Sequence, residues 1–407
     1  MSNRAVVAAA ASNAHSTSSV VKAVGQLLEN IEPDLTALVK RGTRVLVKVN
    51  MGCSGARDPS LRLTTHPAVV EAIVNYLLDC GAVVSFGDDV ARAGKYCDHI
   101  YRSTGMSEVA KRTGATLLDF VSEGAREVGS GLLYPRKYLI TNAYFDAEIV
   151  INAANCRCGP PVVGMSGAIK NMFGCVVGLR KQAIHNIFGA DPPRFGRAIA
   201  DIHRVIPADL SFLDLTSVAE FSGISSVHPV HLMLASADPV ALDAVAAHAI
   251  GYEDLPIWPT YYGGKIGLGC NSMGQIDIRG LGWDAFPKAR LAHPPRQPPA
   301  KHALYDRLSR AINCTILRPR PTIEARTCTG CGDCYRRCPV KCIEHSPHDV
   351  YVIDHHSCVD CGCYMRVCET AAAHTVYFGL AKAVRGMMKA AKRPPEPQGK
   401  PARLDSW

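Results

Sequence analysis

The sequence predicts an α/β fold, a mainly parallel sheet with flanking helices, followed by a small cysteine-rich α+β domain. Three observations predict it. Over residues 1–290 short β-branched runs alternate with helical patterns, which is how a parallel sheet with crossover helices reads. The stretch HPPRQPPAKH (293–302) then breaks both periods, because proline continues neither a sheet nor a helix. Beyond it, cysteines crowd between Cys328 and Cys368.

The expected strands are Ala5–Ala10, Val45–Val49, Val83–Phe86, Glu148–Asn152, Phe212–Asp214 and Leu232–Ala235. Thr65, His66 and Pro67 announce a helix over Ala68–Cys80, since a polar cap followed by proline is a favoured start. Asp238 and Pro239 announce another, running to Ile250 and stopped by Gly251. The expected division is an α/β domain over 1–290, a linker with a short helix over 291–322, the cysteine-rich domain over 323–372, a basic amphipathic helix over 373–392 and a disordered tail over 393–407.

The 407 residues carry a formal net charge of +9 and 17 cysteines. An odd, unevenly clustered set argues against a secreted disulfide framework and for metal ligation in a reducing compartment. No segment approaches the ~20 apolar residues of a membrane span, and Ala5–Ala11 is too short for a secretory signal. The expected location is therefore cytoplasmic, without a membrane span.

Cys328, Cys331, Cys334 and Cys338, followed by Pro339, follow the bacterial ferredoxin run C-x-x-C-x-x-C-x-x-x-C-P. Cys358, Cys361 and Cys368 repeat its first, second and fourth positions, while Tyr364 stands at the third and a cysteine comes one residue early, at Cys363. The expectation is a ferredoxin-like domain with two 4Fe–4S clusters, one on Cys328, Cys331, Cys334 and Cys368 and the other on Cys358, Cys361, Cys363 and Cys338. If Cys363 does not ligate, the second cluster is a three-iron or labile species. Zinc on paired C-x-x-C steps is the alternative. Cys156, Cys158 and Cys175 invite a third metal site, with no fourth ligand indicated.

Ligands of open α/β sheets bind beyond the carboxyl ends of the strands. Lys48 and Asn50, Asp88, and Arg157 lie there, and His66 stands at a nearby helix start, which makes them candidate substrate-binding residues. Lys170 and Asn171 occupy the turn SGAIKNMFG, able to present amides and an ammonium to an anion. With His185 in RKQAIHN as a possible general acid, they are the candidate catalytic residues. GGKIGLG at Gly263–Gly269 has neither Walker nor Rossmann spacing.

Four stretches carry a family resemblance: VLVKVN (Val45–Asn50), TTHPAVVEAIVNYL (Thr64–Leu77), GAIKNMFG (Gly167–Gly174) and ADPVALDAVA (Ala237–Ala246). On them the chain resembles the family known as domain of unknown function 362, in which an α/β domain often carries a C-terminal ferredoxin module. Where that family usually shows Pro-Lys-x-Lys-Thr-His, this chain reads AANCRCG, and only Arg157 keeps a charge. The functional expectation is an iron–sulfur oxidoreductase passing low-potential electrons to a small anionic substrate held by the α/β domain, with an electron donor or acceptor protein as partner. The alternatives are a non-catalytic electron carrier docking on a partner enzyme and a cluster-stabilised nucleic-acid-binding protein using the basic tail.

Overall fold

The computed structural model describes residues 4–12, 16–51, 64–90, 95–132, 135–158, 163–177, 181, 184, 188, 191–220, 227–287, 289–291, 320–336, 338, 341–347, 350–355, 358, 363–366 and 368–376. In chain order the strands are β1 (Ala5–Ala11), β2 (Arg44–Lys48), β3 (Val83–Asp88), β4 (Thr116–Asp119), β5 (Ala125–Gly129), β6 (Lys137–Thr141), β7 (Ile149–Cys158), β8 (Met165–Ser166), β9 (Leu210–Glu220), β10 (Val227–Ser236) and β11 (Ile276–Gly280). The main sheet runs β11-β1-β10-β9-β7-β2-β3-β4, with β8 paired to β7, and β5 and β6 form a separate ribbon.

The sheet is mixed, its parallel pairs joined by antiparallel ones. β2 lies parallel to β3 and β7, β7 to β9, β3 to β4, and β1 to β11. The β9–β10 and β1–β10 pairs are antiparallel. Chain length is the reason. Read as Phe212–Asp214 and Leu232–Ala235, the two runs leave room for a crossover, but the real strands extend to Glu220 and from Val227. Residues 221–226 are too few for the dozen or so that a parallel connection needs.

Side chains alternate across the sheet because the strand period is two. Val45, Val47, Ile151, Ala153, Phe212, Met233 and Ala235 join one core with the helices Thr17–Asn30 and Pro67–Asp79. Ala154, Leu213, Leu232 and Leu234 face the opposite way onto the helix Pro239–Ala249. Leu46 and Val150 also belong to that opposite side, under the helix Pro192–Val205. Both faces are covered, so nearly every residue of β7 is buried. Both foreseen helix starts occur with their caps: the His66 ring accepts from Ala68 N–H, and Asp238 accepts from Val240 and Ala241 N–H.

Near the C-terminus, β12 (Arg320–Ile323) pairs with β15 (Ala373–Val376), and β13 (Ile343–His345) with β14 (Tyr351–Ile353), both antiparallel. The segment expected to begin a helix at 373 begins as strand β15, and residues 377–407 lie outside the described residues. So do residues 292–319, with most of the expected linker and its short helix. The expectation of a ferredoxin-like domain holding two iron–sulfur clusters is overturned. Among the described residues no group of three or more His, Cys, Asp or Glu side chains is placed to hold a metal ion. The same statement removes the third metal site from Cys156, Cys158 and Cys175, which are buried instead as small apolar core residues.

Candidate functional site

β2, β3 and β7 end side by side, with Lys48 level with Gly87 and Asn152. Lys48 is fully buried, and its ammonium lies 2.9 Å from Asp88 Oδ1. Asp88 also accepts from the N–H groups of Met51 (2.7 Å) and Asp89 (2.8 Å), so its carboxylate is well matched. Asn171 joins this pair to β7: its amide donates to Asn152 Oδ1 at 2.8 Å and to the Lys48 carbonyl at 3.3 Å, and its Oδ1 lies 3.4 Å from the Lys48 ammonium.

The turn carrying Lys170 folds over these strand ends as a four-residue helix, Ala168–Asn171, followed by a 3-10 turn to Cys175. Its two flanking glycines are dictated by close approach. A Cβ on Gly167 would overlap the Asp243 carboxylate, and one on Gly174 would overlap Asp88 and the Lys48 ammonium. Asp243 accepts from the N–H groups of Ala168 (2.6 Å) and Ile169 (3.1 Å). Two separate sequence stretches, GAIKNMFG and ADPVALDAVA, thus interlock through one carboxylate.

Beyond this brace lies a basic cluster. The Lys170 amine donates to Ser166 Oγ at 2.8 Å. Burial, with the charges of Arg157 and Lys181 acting in the same direction, lowers its pKa to about 7. Lys181 lies 3.5 Å from Asp89 Oδ2 and donates to the Asp89 carbonyl. Arg157, near the end of β7, is 9% exposed. Burial raises Asp243 to about 7, against the lowering effect of its two backbone bonds.

These two groups give stability a defined pH dependence. Asp243, raised above its unfolded value of about 4, contributes stability at low pH that is lost as pH rises through 7. Lys170, lowered from about 10.4, contributes stability at high pH that is lost as pH falls through 7. Together they place a minimum near neutrality. Urea midpoints measured across the range should show it; Asp243→Asn should remove the acid limb and Lys170→Met the alkaline one. A flat profile in the parent protein would contradict both assignments.

A family model described as "Domain of unknown function (DUF362)" matches residues 45–248, half of the chain and all of the cluster just described. The chain belongs to the DUF362 family. Among curated relatives, the "Thylakoid-associated protein sll1697" of Synechocystis sp. is 29% identical over 236 residues, 58% of this chain and 71% of that one. An "Uncharacterized protein in rpl9-rpl11 intergenic region" of Porphyra purpurea is 36% identical over 58 residues, 13% of this chain and 77% of that one. Among solved structures, the lactate racemase apoprotein from Thermoanaerobacterium thermosaccharolyticum aligns with a TM-score of 0.41 at 12% identity, over 59% of this chain and 55% of that one. A likeness at that level carries no inference about activity.

In this DUF362 chain the foreseen site residues separate into two kinds. Lys48, Asp88, Asn171 and Arg157 come together at the strand ends with Lys170. The His66 ring is committed to capping its own helix, and Asn50 is held through its backbone N–H, which donates to Thr65 Oγ1. His185 lies outside the described residues. Sequence reasoning passed over Asp243, Ser166 and Lys181. Asp243 had a signal, an acidic residue in an otherwise apolar helical run, ALDAVAA, where burial demands a partner.

The C-terminal thiols do not supply the foreseen cofactor. Cys328, Cys331, Cys334 and Cys368 line one recess with Ile323, Tyr351 and Ala373, without forming a metal-holding group. Burial pushes the Cys334 thiol up to about 11, against thiolate formation. Cys338 is turned onto Cys342, with the sulfurs 3.6 Å apart, and Cys368 Sγ accepts from Ala373 N–H. Tyr364, at the missing ligand position, is buried with Cys334, Cys338 and Cys342 in a small apolar core. Cys358 lies beside that core, and Cys361 and the Cys363 side chain fall outside the described residues. The readings as iron–sulfur oxidoreductase, electron carrier and cluster-stabilised nucleic-acid binder all took the clusters as premise and fall with them. No helix among the described residues is long and apolar enough to cross a membrane.

Proposed function

We propose that this protein binds a small anionic molecule, bearing a carboxylate, sulfate or phosphate group, beyond the carboxyl ends of β2, β3 and β7, with Lys170 as the group that exchanges a proton with it. The observation that carries this is the gathering of positive charge at Lys170, whose amine is bonded to Ser166 Oγ while Arg157 and Lys181 lie near enough for their charges to act on it. Among the described residues Lys48 is answered by Asp88 and Lys181 by Asp89, whereas Lys170 meets a hydroxyl and no carboxylate. Like charges gathered out of water repel, and an anion is the partner that relieves them. Lys48, Asp88, Asn152 and Asn171 serve in this reading as the brace that holds the cluster in place. An amine half-protonated near pH 7 can hold an anion as ammonium or accept a proton as amine.

Calorimetric titration with sodium sulfate tests it, because sulfate keeps its charge across the range. Binding is expected at about pH 6, weakening as Lys170 loses its proton above 7. Lys170→Gln should weaken it by about tenfold to a hundredfold, the worth of one hydrogen bond to a charged group. If the parent binds neither sulfate nor acetate, or the variant binds equally well, the assignment is wrong.

A further inference from the structure

Strand β7 carries a different chemistry on each face. Ala154, Cys156 and Cys158 turn into one apolar core, and Met165 of β8, level with Cys158, joins them there. Side chains alternate along a strand, so Asn155 and Arg157 turn the other way. Ser166 stands level with Arg157 on β8 and shares its face, and Ser166 Oγ is the atom to which the Lys170 amine donates. The register therefore puts Asn155 on the side where this positive charge gathers, two residues and about 7 Å of extended chain from Arg157.

Asn155 is 3% exposed, and its amide oxygen is buried with no hydrogen-bond partner. The hydroxyls on the neighbouring segments are committed elsewhere: Thr65 Oγ1 donates to the Ala153 carbonyl at 2.7 Å, and Thr216 Oγ1 to Asp214 at 2.6 Å. The cations on this face favour the oxygen over the amide nitrogen as the inward end. Leaving a polar atom so is costly, and an apolar residue at this position would avoid the loss. Packing alone therefore does not account for an asparagine at 155. A ligand that donates a hydrogen bond does. Asp214, level with Asn155 on β9 and buried, makes this end of the site rich in acceptors, while Arg157 and the Lys170 amine make the other end cationic. An anion with acceptors alone would set oxygen against oxygen at Asn155.

We propose that Asn155 contacts the ligand and sets its class: the anion held at Lys170 carries a hydroxyl of its own, and that hydroxyl donates to the buried Asn155 oxygen. The proposal rests on the anion-site reading and narrows it. Hydrogen phosphate and hydroxylated carboxylates share the required chemistry, whereas sulfate and simple carboxylates lack the donor.

Two matched pairs of anions, titrated calorimetrically into the full-length protein, test it. At about pH 6 inorganic phosphate keeps a hydroxyl proton and sulfate keeps none. Glycolate differs from acetate by one hydroxyl. In at least one pair the hydroxylated anion is expected to bind about tenfold tighter, the worth of one hydrogen bond, even though sulfate bears more charge than phosphate. The pair that shows the preference tells whether the hydroxyl belongs to the charged group or to the carbon beside it. Asn155→Leu, which removes the acceptor at similar volume, should abolish the preference. Asn155→Asp, which keeps the shape and the acceptor and adds a charge, should widen it, and this variant decides if Asn155→Leu does not fold. Equal affinities within both pairs overturn the proposal, as does a preference that survives Asn155→Leu or that Asn155→Asp leaves unchanged. Binding of all four anions alike sinks this inference alone, whereas binding of none sinks the anion site itself.

Discussion

Replacing Lys48 with methionine is expected to lower the stability of the protein by about 3–5 kcal/mol, because it leaves a buried carboxylate without its counter-charge. Asp88 is 2% exposed and touches the Lys48 ammonium at 2.9 Å. Its bonds to the N–H groups of Met51 and Asp89 persist in the variant and keep it from adapting as a neutral acid at little cost. Asp88→Asn should also be costly, since the Lys48 ammonium then loses its counter-charge and the amide offers one acceptor oxygen where the carboxylate used two. Removing both charges in Lys48→Met/Asp88→Leu should recover a large part of the loss, as replacement of whole buried pairs by apolar groups often does. Urea denaturation of the three variants measures the coupling. A single-variant loss under about 1 kcal/mol would mean that the pair is solvated and does not brace the site.

Gly174→Ala is the second large effect expected, about 3 kcal/mol or more, since overpacking here also pries apart an ion pair. The added methyl would have to occupy the place of Asp88 Oδ1 and the Lys48 ammonium, neither of which can retreat into a filled core. Gly25→Ala is the matched control. Gly25 lies in the helix Thr17–Asn30 with nothing within 4 Å of its missing Cβ, and alanine there should add up to about 1 kcal/mol of stability. Opposite signs for one chemical change would show that close approach, and not chain flexibility, selects glycine at 174. Equal, small effects would refute the crowding argument.

Much of the architecture could be read before any coordinates. Helix starts at His66–Pro67 and Asp238–Pro239 declare themselves because capping is a matter of neighbouring residues. The turn SGAIKNMFG stood out for its lysine and its glycines, and that lysine lies beside the charges of Arg157 and Lys181. The meaning of its two glycines was not legible, because the atoms that crowd them belong to Asp243 and to the Lys48–Asp88 pair, far away in sequence. Nor were the directions of β9 and β10, which depend on where each strand stops.

The cysteines teach the opposite lesson. Spacing alone argued strongly for clusters, yet spacing says only which thiols are near in sequence. Among the described residues, where the Cys334, Cys338, Cys342 and Cys368 sulfurs lie is set by packing around Tyr364 and Ile343 and by backbone groups such as Ala373 N–H.

Taken by itself, the sequence determined what depends on near neighbours: the α/β alternation, the capped helix starts and the family to which residues 45–248 belong. The tertiary structure alone decided which charges meet. Lys48 with Asp88, Asp243 with the Lys170 helix, and Lys181 with Asp89 are separated by tens of residues. Such pairs form because a buried polar group must find a partner wherever the fold brings one, and no local pattern records which partner that is.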